Sequence, residues 1–263
     1  MNDISQFTEF KQLQSGTFAT VWRCRYIKTG KIYAIKVLPY TNKCQRRVAM
    51  NEIYINSLLN HPYIVKMHAS FINDERIYLV FDYYRKGDTF ENSPISASKI
   101  PIYIKQVIQA LRYCHTKGVI HRDLKPENIL ISGNGIAICD FGYARKVDPR
   151  KIKETKMKHK VGTPRFMSPE ISMCRDLKNK NQYDYLTDIW SLGGLIADWI
   201  YIDKNYDLNN DFTCFLKISQ GIWPKKKISE TYKDFIEKCL RINASERISF
   251  DNMLQHPLLL NIP

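Results

Sequence analysis

The chain has no C-x-x-C pair. Its seven cysteines stand singly at 24, 44, 114, 139, 174, 214 and 239, an odd number, mostly within apolar runs. That spacing offers no disulfide framework and reads as buried, reduced thiols in a cytoplasmic or nuclear protein. The opening segment, MNDISQFTEF, has neither a basic start nor an apolar stretch, so it is not a secretory signal. Long hydrophobic runs are missing too. The most apolar, SLGGLIADWIYI (191–202), is too short to span a bilayer and carries Asp198. There is no internal repeat and no low-complexity linker. Acid is scarce beside base: 26 Asp and Glu against 40 Lys and Arg, a net charge of +14. Such a balance favours acidic partners and polyanions. The excess is carried by Lys rather than Arg amid abundant Asn and Ile, a bias that base composition also produces, so a nucleic-acid role is the lesser reading.

With 263 residues, 44% of them apolar, the chain is long enough for one large domain or two lobes around a cleft. Residues 7–38 are β-branched and aromatic, broken at Gly16 and at KTGK, and read as strands joined by hairpins. In RRVAMNEIYINSLLN the period changes, and Val48, Ile55 and Leu59 are expected on one helical face that NHP ends. YIVKMHASF and RIYLVFDYY return to strand character. After RKGD the pattern turns helical, with Ile104, Val107, Ile108, Leu111 and Cys114 on one face. Residues 191–202 are apolar nearly all round and predict a central helix; Tyr232, Phe235, Ile236, Cys239 and Leu240 form a further stripe. The expected class is α+β: a β-rich lobe over 1–82 and a helical lobe over 83–263, with a hinge near 82–86.

The stretch VIHRDLKPENILIS (119–132) sets charged groups between two apolar runs, an arrangement of little use to a core strand or a solvent loop. Phosphoryl transfer from ATP would use it. Asp123 could orient a hydroxyl and accept its proton, Lys125 could neutralise charge on the moving phosphoryl, and Asn128 could offer an amide oxygen to a hard metal. A second metal carboxylate stands in ICDFGYA as Asp140. Upstream, Lys36 in YAIK could hold the α- and β-phosphates, and Glu52 on the following helix could pair with it. Singly, each is weak: a strand lysine is usually solvated and a D-F-G is often only a turn. Their order and spacing carry the argument.

Taken together, LQSGTFATV (13–21), YAIK (33–36), Glu52, HRDLKPEN (121–128), DFG (140–142), GTPRFMSPE (162–170), DIWSLG (188–193) and Arg247 resemble the eukaryotic protein kinase family over essentially the whole chain. Lys125 and Thr163 place the resemblance with the Ser/Thr class. It implies the bilobal kinase fold and ATP in the cleft, with Mg²⁺ on Asn128 and Asp140. The nucleotide would meet Leu13, Gln14, Ser15, Gly16, Thr17, Phe18, Ala19, Thr20, Val21, Ala34, Lys36, Glu52, Asp82, Tyr84 and Asp140. Phe81 would be the gatekeeper and Asp82–Tyr84 the hinge. A Glu170–Arg247 ion pair would brace the substrate segment, and His121 would be a structural residue rather than an acid or base. The implied activity is transfer of the γ-phosphoryl of ATP to Ser or Thr of protein substrates, in cell-cycle or signalling control. RIYLVFDYYRKGD and ALRYCHTKGVIHRDLKPEN look like mitotic kinases of the Aurora type; FATVW, LVFDYY and NDFTCFLKISQGIWP are reminiscent of kinases that activate cyclin-dependent kinases.

Some positions depart from that pattern. The G-x-G-x-x-G of the family falls on Gln14, Gly16 and Ala19, which gives up part of the backbone freedom that phosphate binding uses. Asn56 sits where an apolar residue is usual and is expected to loosen the helix unless it is hydrogen-bonded. The position three before Gly162, phosphorylated in many kinases, is His159, so activity without phosphorylation there is expected; Thr155 is the only Ser or Thr hydroxyl in the segment ahead of Thr163. Arg122 would normally receive that phosphate. The segment is basic, either a solvated loop or a docking surface for an acidic or phosphorylated partner. Glu127 and Asp88 lie where related kinases contact basic substrate residues, which suggests the opposite preference. The alternative to an active enzyme is a pseudokinase scaffold with weakened nucleotide binding.

Overall fold

A computed structural model describes residues 1–16, 19–133, 135–174, 182–201, 213–225 and 227–262. Thr17 and Phe18 of the expected nucleotide site, and Ile202 at the end of the expected central helix, lie outside them. The chain divides into two compact units, Met1–Arg85 and Lys86–Pro263.

The first unit is an antiparallel five-stranded sheet in the order β1-β2-β3-β5-β4: β1 (Phe7–Ser15), β2 (Thr20–Tyr26), β3 (Ile32–Pro39), β4 (Met67–Asn73) and β5 (Arg76–Asp82). Pairing puts Val21 and Leu79 beside Lys36, and Arg23 and Phe81 beside Ala34, so these six share one face. The opposite face buries Cys24, Tyr33, Ile35, Tyr78 and Val80 in an aromatic-rich core with Phe7 and Phe71. Helix α1 (Lys43–Leu58) opens with a capping box between Asn42 and Gln45. Its buried residues are Ala49, Glu52, Ile55 and Asn56, whereas Val48 is 45% exposed. Ile55 and Leu59 are buried as the periodicity predicts; Val48 is not, because the inward face also takes in a carboxylate and an amide. Asn56 does not loosen the helix: its Nδ2 donates to the Glu52 carbonyl at 2.9 Å, so the buried amide is hydrogen-bonded.

The second unit is mainly helical. It comprises α2 (Ile100–Thr116), the short strands β6 (Val119–Ile120), β7 (Ile129–Ser132), β8 (Gly135–Ile138) and β9 (Arg145–Lys146), and then α3 (Pro169–Ser172), α4 (Thr187–Tyr201), α5 (Thr213–Ser219), α6 (Glu230–Cys239) and α7 (Phe250–Leu254). Helical structure begins at Ile100, not directly after RKGD; Pro101 in its first turn suits a helix start. The expected face of α2 is buried at Ile104, Val107, Ile108, Leu111 and Cys114. Every residue of α4 is buried, which is why its sequence is apolar all round. Each of Trp190, Leu192, Leu195 and Ile196 taken from water contributes about 1.5–3 kcal/mol. Gly193 and Gly194 let α6 and α5 close in, since a side chain at either would meet Cys239 or Phe215. Among the described residues no helix is long and apolar enough to cross a membrane.

Candidate active site

In the first unit, Lys36 Nζ lies 2.7 Å from Glu52 Oε1, with side chains 13% and 1% exposed. The strand holds the lysine and α1 brings the acid to it. On the same face lie Val21 and Ala34, an apolar floor suited to a planar ring. Leu13, on β1, is 44% exposed. Ser15 pairs with Thr20, and the Gly16 N–H donates to the Ala19 carbonyl at 2.9 Å, closing the turn. Gly16 is not in the left-handed region, and a Cβ there would meet only Ala19 O at 3.6 Å. What glycine provides here is open backbone rather than an otherwise forbidden turn. The Asp82 carboxylate faces His68 and Lys31; burial pushes it up, but those two partners hold it below its ordinary value. A cavity of about 460 Å³ in this unit, lined by Trp22, Ile35, Val37 and Tyr78 among others, opens on the sheet face opposite Lys36.

In the second unit the loop after β6 gathers the rest. Asp123 is 3% exposed. Its Oδ1 accepts from the Thr163 N–H at 2.7 Å and from Thr163 Oγ1 at 2.8 Å. Its Oδ2 lies 3.3 Å from Lys125 Nζ, which also donates to Thr163 Oγ1 at 2.8 Å. Asn128 Nδ2 donates to the Asp123 carbonyl at 2.8 Å, which orders the amide of a metal candidate and fixes the loop at once. Asp140 stands at the end of the strand-like run after β8, exposed and with φ +60; Arg122 has φ +68. Strain of this kind persists only where surroundings enforce it, and it gathers at functional sites. Among the described residues no three His, Cys, Asp or Glu side chains form a metal cage. Asn128 and Asp140 supply hard oxygens, a donor set that fits an ion completed by water and phosphate, as Mg²⁺ prefers.

Four braces hold this loop. His121 Nδ1 accepts from the Asp123 N–H at 3.2 Å and its Nε2 faces the Cys139 carbonyl at 3.2 Å, so the ring proton sits on Nε2; the ring packs on Phe141. Asp188, fully buried at the start of α4, accepts from the N–H groups of His121 and Arg122 at 2.9 and 2.8 Å. Trp199 Nε1 donates to Thr89 Oγ1, which donates to the Pro126 carbonyl. Gly162, at φ +101, must be glycine, because a Cβ would collide with the Arg122 carbonyl oxygen. Further on, Arg247 grips Glu170 through two bonds of 2.6 and 2.7 Å while lying over Trp190.

Arg122 is bound by neutral groups. Its Nε donates to the Tyr143 carbonyl at 2.8 Å and its Nη1 to the Tyr183 hydroxyl at 2.9 Å; that hydroxyl donates to the His159 carbonyl at 2.7 Å. Met157 and Tyr183 exchange backbone bonds of 2.7 and 3.0 Å. Tyr183 was not legible as a site residue, since nothing local marks a tyrosine 61 positions from its partner. Asp198 had a signal: an acid amid an apolar helix.

These arrangements can be compared with known proteins. Residues 7–259 match the protein kinase domain. The chain belongs to that family. Over 96% of its length it is 32% identical to serine/threonine-protein kinase cds1 of Schizosaccharomyces pombe, covering 58% of that protein. It is 32% identical over 97% of its length to an Aurora kinase of Dictyostelium discoideum, covering 66% of it. It is 28% identical over 96% of its length to serine/threonine-protein kinase shk1/pak1 of Schizosaccharomyces pombe, covering 38% of it. The kinase domain thus spans between 38% and 66% of these relatives' lengths. The family uses ATP and a divalent metal, and its fold is the two-lobed, α+β one expected.

Proposed function

We propose that the protein is a serine/threonine protein kinase that moves the γ-phosphoryl of ATP to Ser or Thr hydroxyls of proteins. The observation that carries this reading is the buried Asp123 carboxylate, held by Thr163, Lys125 and Asn128. Asp123 orients the acceptor hydroxyl and takes its proton as the oxygen bonds to the γ-phosphorus and the bond from that phosphorus to the bridging oxygen breaks, leaving ADP. Lys125 offsets charge on the transferred group, and Lys36, set by Glu52, holds the α- and β-phosphates. Mg²⁺ on Asn128 and Asp140 would screen the phosphate oxygens. The scaffold alternative gains no support from the family match or the relatives. Labelled γ-phosphate transfer to a generic basic protein tests the reading. Asp123→Asn should lower it by about 10²–10⁴-fold; equal transfer by both proteins overturns it.

The role we infer in cell-cycle or signalling control rests on motif resemblance and on relatives such as the Aurora kinase. We further propose activity without phosphorylation at position 159. Arg122, which would meet such a phosphate, is already engaged by Tyr183 and Tyr143. Protein stripped of all phosphate should remain active; inert protein revived by modification of Thr155 would sink the idea. The exposed Lys151, Lys153, Lys158 and Lys160 support docking of an acidic or phosphorylated partner. Free thiols at all seven cysteines suit a cytoplasmic or nuclear location.

A further inference from the structure

Between the catalytic loop and the basic segment that ends at Gly162 stands one buried tyrosine to which the proposed chemistry gives no task. Tyr183 is 1% exposed and packs with Ile120, Met157, Met167 and Ile171. Packing needs only its ring. Its hydroxyl does something further: it accepts from Arg122 Nη1 at 2.9 Å and donates to the His159 carbonyl at 2.7 Å. Burial pushes the phenol up, so it keeps the proton that the second bond uses. The guanidinium has no carboxylate partner among the described residues, since Asp188 takes only the backbone N–H of Arg122. Its Nε donates to the Tyr143 carbonyl at 2.8 Å, and its Nη1 also lies 4.0 Å from the Met157 sulfur.

Two more attachments flank that hydroxyl. Met157 and Tyr183 exchange backbone bonds, and Lys156 Nζ lies 2.5 Å from Asp184 Oδ2. The segment is thus gripped at 156, 157 and 159, four to seven residues before Thr163. Thr163 in turn bonds Asp123 Oδ1 through both its N–H and its hydroxyl. Gly162 leaves little slack on the way, because a Cβ there would stand 2.4 Å from the Arg122 carbonyl oxygen. The contacts close a ring: Arg122 to Tyr183, Tyr183 to His159, along the chain to Thr163, and from Thr163 back to Asp123, the neighbour of Arg122. Loosening one side of such a ring loosens the rest, and a reacting group displaced by about 1 Å costs on the order of a hundredfold in rate.

We propose that the Tyr183 hydroxyl clamps the basic segment to Arg122 and so keeps Thr163, and through it Asp123, in register for the acceptor hydroxyl. Tyr183 is a positioning residue that acts through Arg122 and Thr163. A neutral phenol suits the task where position 159 carries no acid, because the two groups to be joined are a cation that donates and a carbonyl that accepts. The inference rests on the reading of Asp123 as the group that receives the acceptor hydroxyl, and it supplies the tether that activity without phosphorylation at 159 requires.

Steady-state kinetics on the wild type, Tyr183→Phe, His159→Glu and the double variant test it. Phenylalanine keeps the buried ring and removes only the hydroxyl. Its kcat should fall about tenfold or more, the scale of one hydrogen bond to a charged group, while the KM for ATP stays within about twofold. His159→Glu sets a carboxylate one hydroxyl's breadth from Arg122. It should restore most of the loss in the Tyr183→Phe background and raise the wild type by no more than about twofold, because there the guanidinium is already engaged. Additive effects of the two changes overturn the proposal, as does a Tyr183→Phe protein with wild-type kcat or a loss confined to the KM for ATP. Should Tyr183→Phe not fold, His159→Glu alone decides: a gain of more than about twofold overturns the clamp and a smaller one supports it. Trypsin cleavage after Lys158 and Lys160 separates this inference from the kinase reading. Should no protein transfer phosphate, faster cleavage there in Tyr183→Phe than in the wild type supports the clamp, and equal rates overturn it.

Discussion

The two ends of helix α4 hold the same residue in the same kind of burial, with opposite results. Asp188, at the start, and Asp198, near the end, are 0% and 4% exposed. Removal from water raises the pKa of any carboxylate. At Asp188 that rise is outweighed first by the hydrogen bond from the His115 ring 2.7 Å away, and by the N–H groups of His121 and Arg122, and the group is held below its ordinary value. At Asp198 the guanidinium of Arg165, with Nη2 2.5 Å from Oδ1, does not outweigh it, and the group is pushed up to about 7. Burial alone therefore decides nothing about charge; aligned donors do. The end that serves the catalytic loop has them, and Oδ1 of Asp198, at the other end, makes no hydrogen bond.

The largest test of that contrast is Asp188→Ala. It strands the N–H groups of His121 and Arg122 and the His115 ring, and should cost about 3–5 kcal/mol in denaturant unfolding. A cost under about 1 kcal/mol would break the comparison. Next comes pH. The folded pKa of Asp198, about 7, lies above its unfolded value of 3.8, so across that window the folded chain holds the extra proton and stability falls as pH rises. The slope attributable to this one group reaches about 1.4 kcal/mol per pH unit. Asp198→Asn should remove that part of the slope; parallel curves for variant and wild type would refute it. Midway in effect is Trp199→Phe, one residue on from Asp198. It deletes the donor to Thr89 Oγ1 and should lower stability by about 1 kcal/mol, read from the shift in denaturant midpoint. The smallest effect belongs outside the helix, at Gly16→Ala. Nothing crowds a Cβ there and φ is ordinary, so stability should stay within about 0.5 kcal/mol while the KM for ATP reports any phosphate contact.

Much of the molecule was legible along the chain. Alternation and helical periodicity marked the strands of the first unit and the buried faces of α2 and α6, because those signals are local. On α1 and just after it, Ile55 and Leu59 are buried as expected, but Val48 is exposed: Glu52 must reach Lys36, and a functional carboxylate shifts the inward face from the apolar phase. The residues of the catalytic loop stood out by type and spacing. Their partners did not: Thr163 reaches Asp123 across 40 positions, and Tyr183 reaches Arg122 across 61.

The sequence by itself determined which elements form and which chemical groups stand ready, since propensity, periodicity and motif spacing act between near neighbours. Only the tertiary structure decided which of those groups are paired and which are charged. Alignment of donors and exclusion of water are properties of contacts between segments far apart in the chain, and no single segment encodes them.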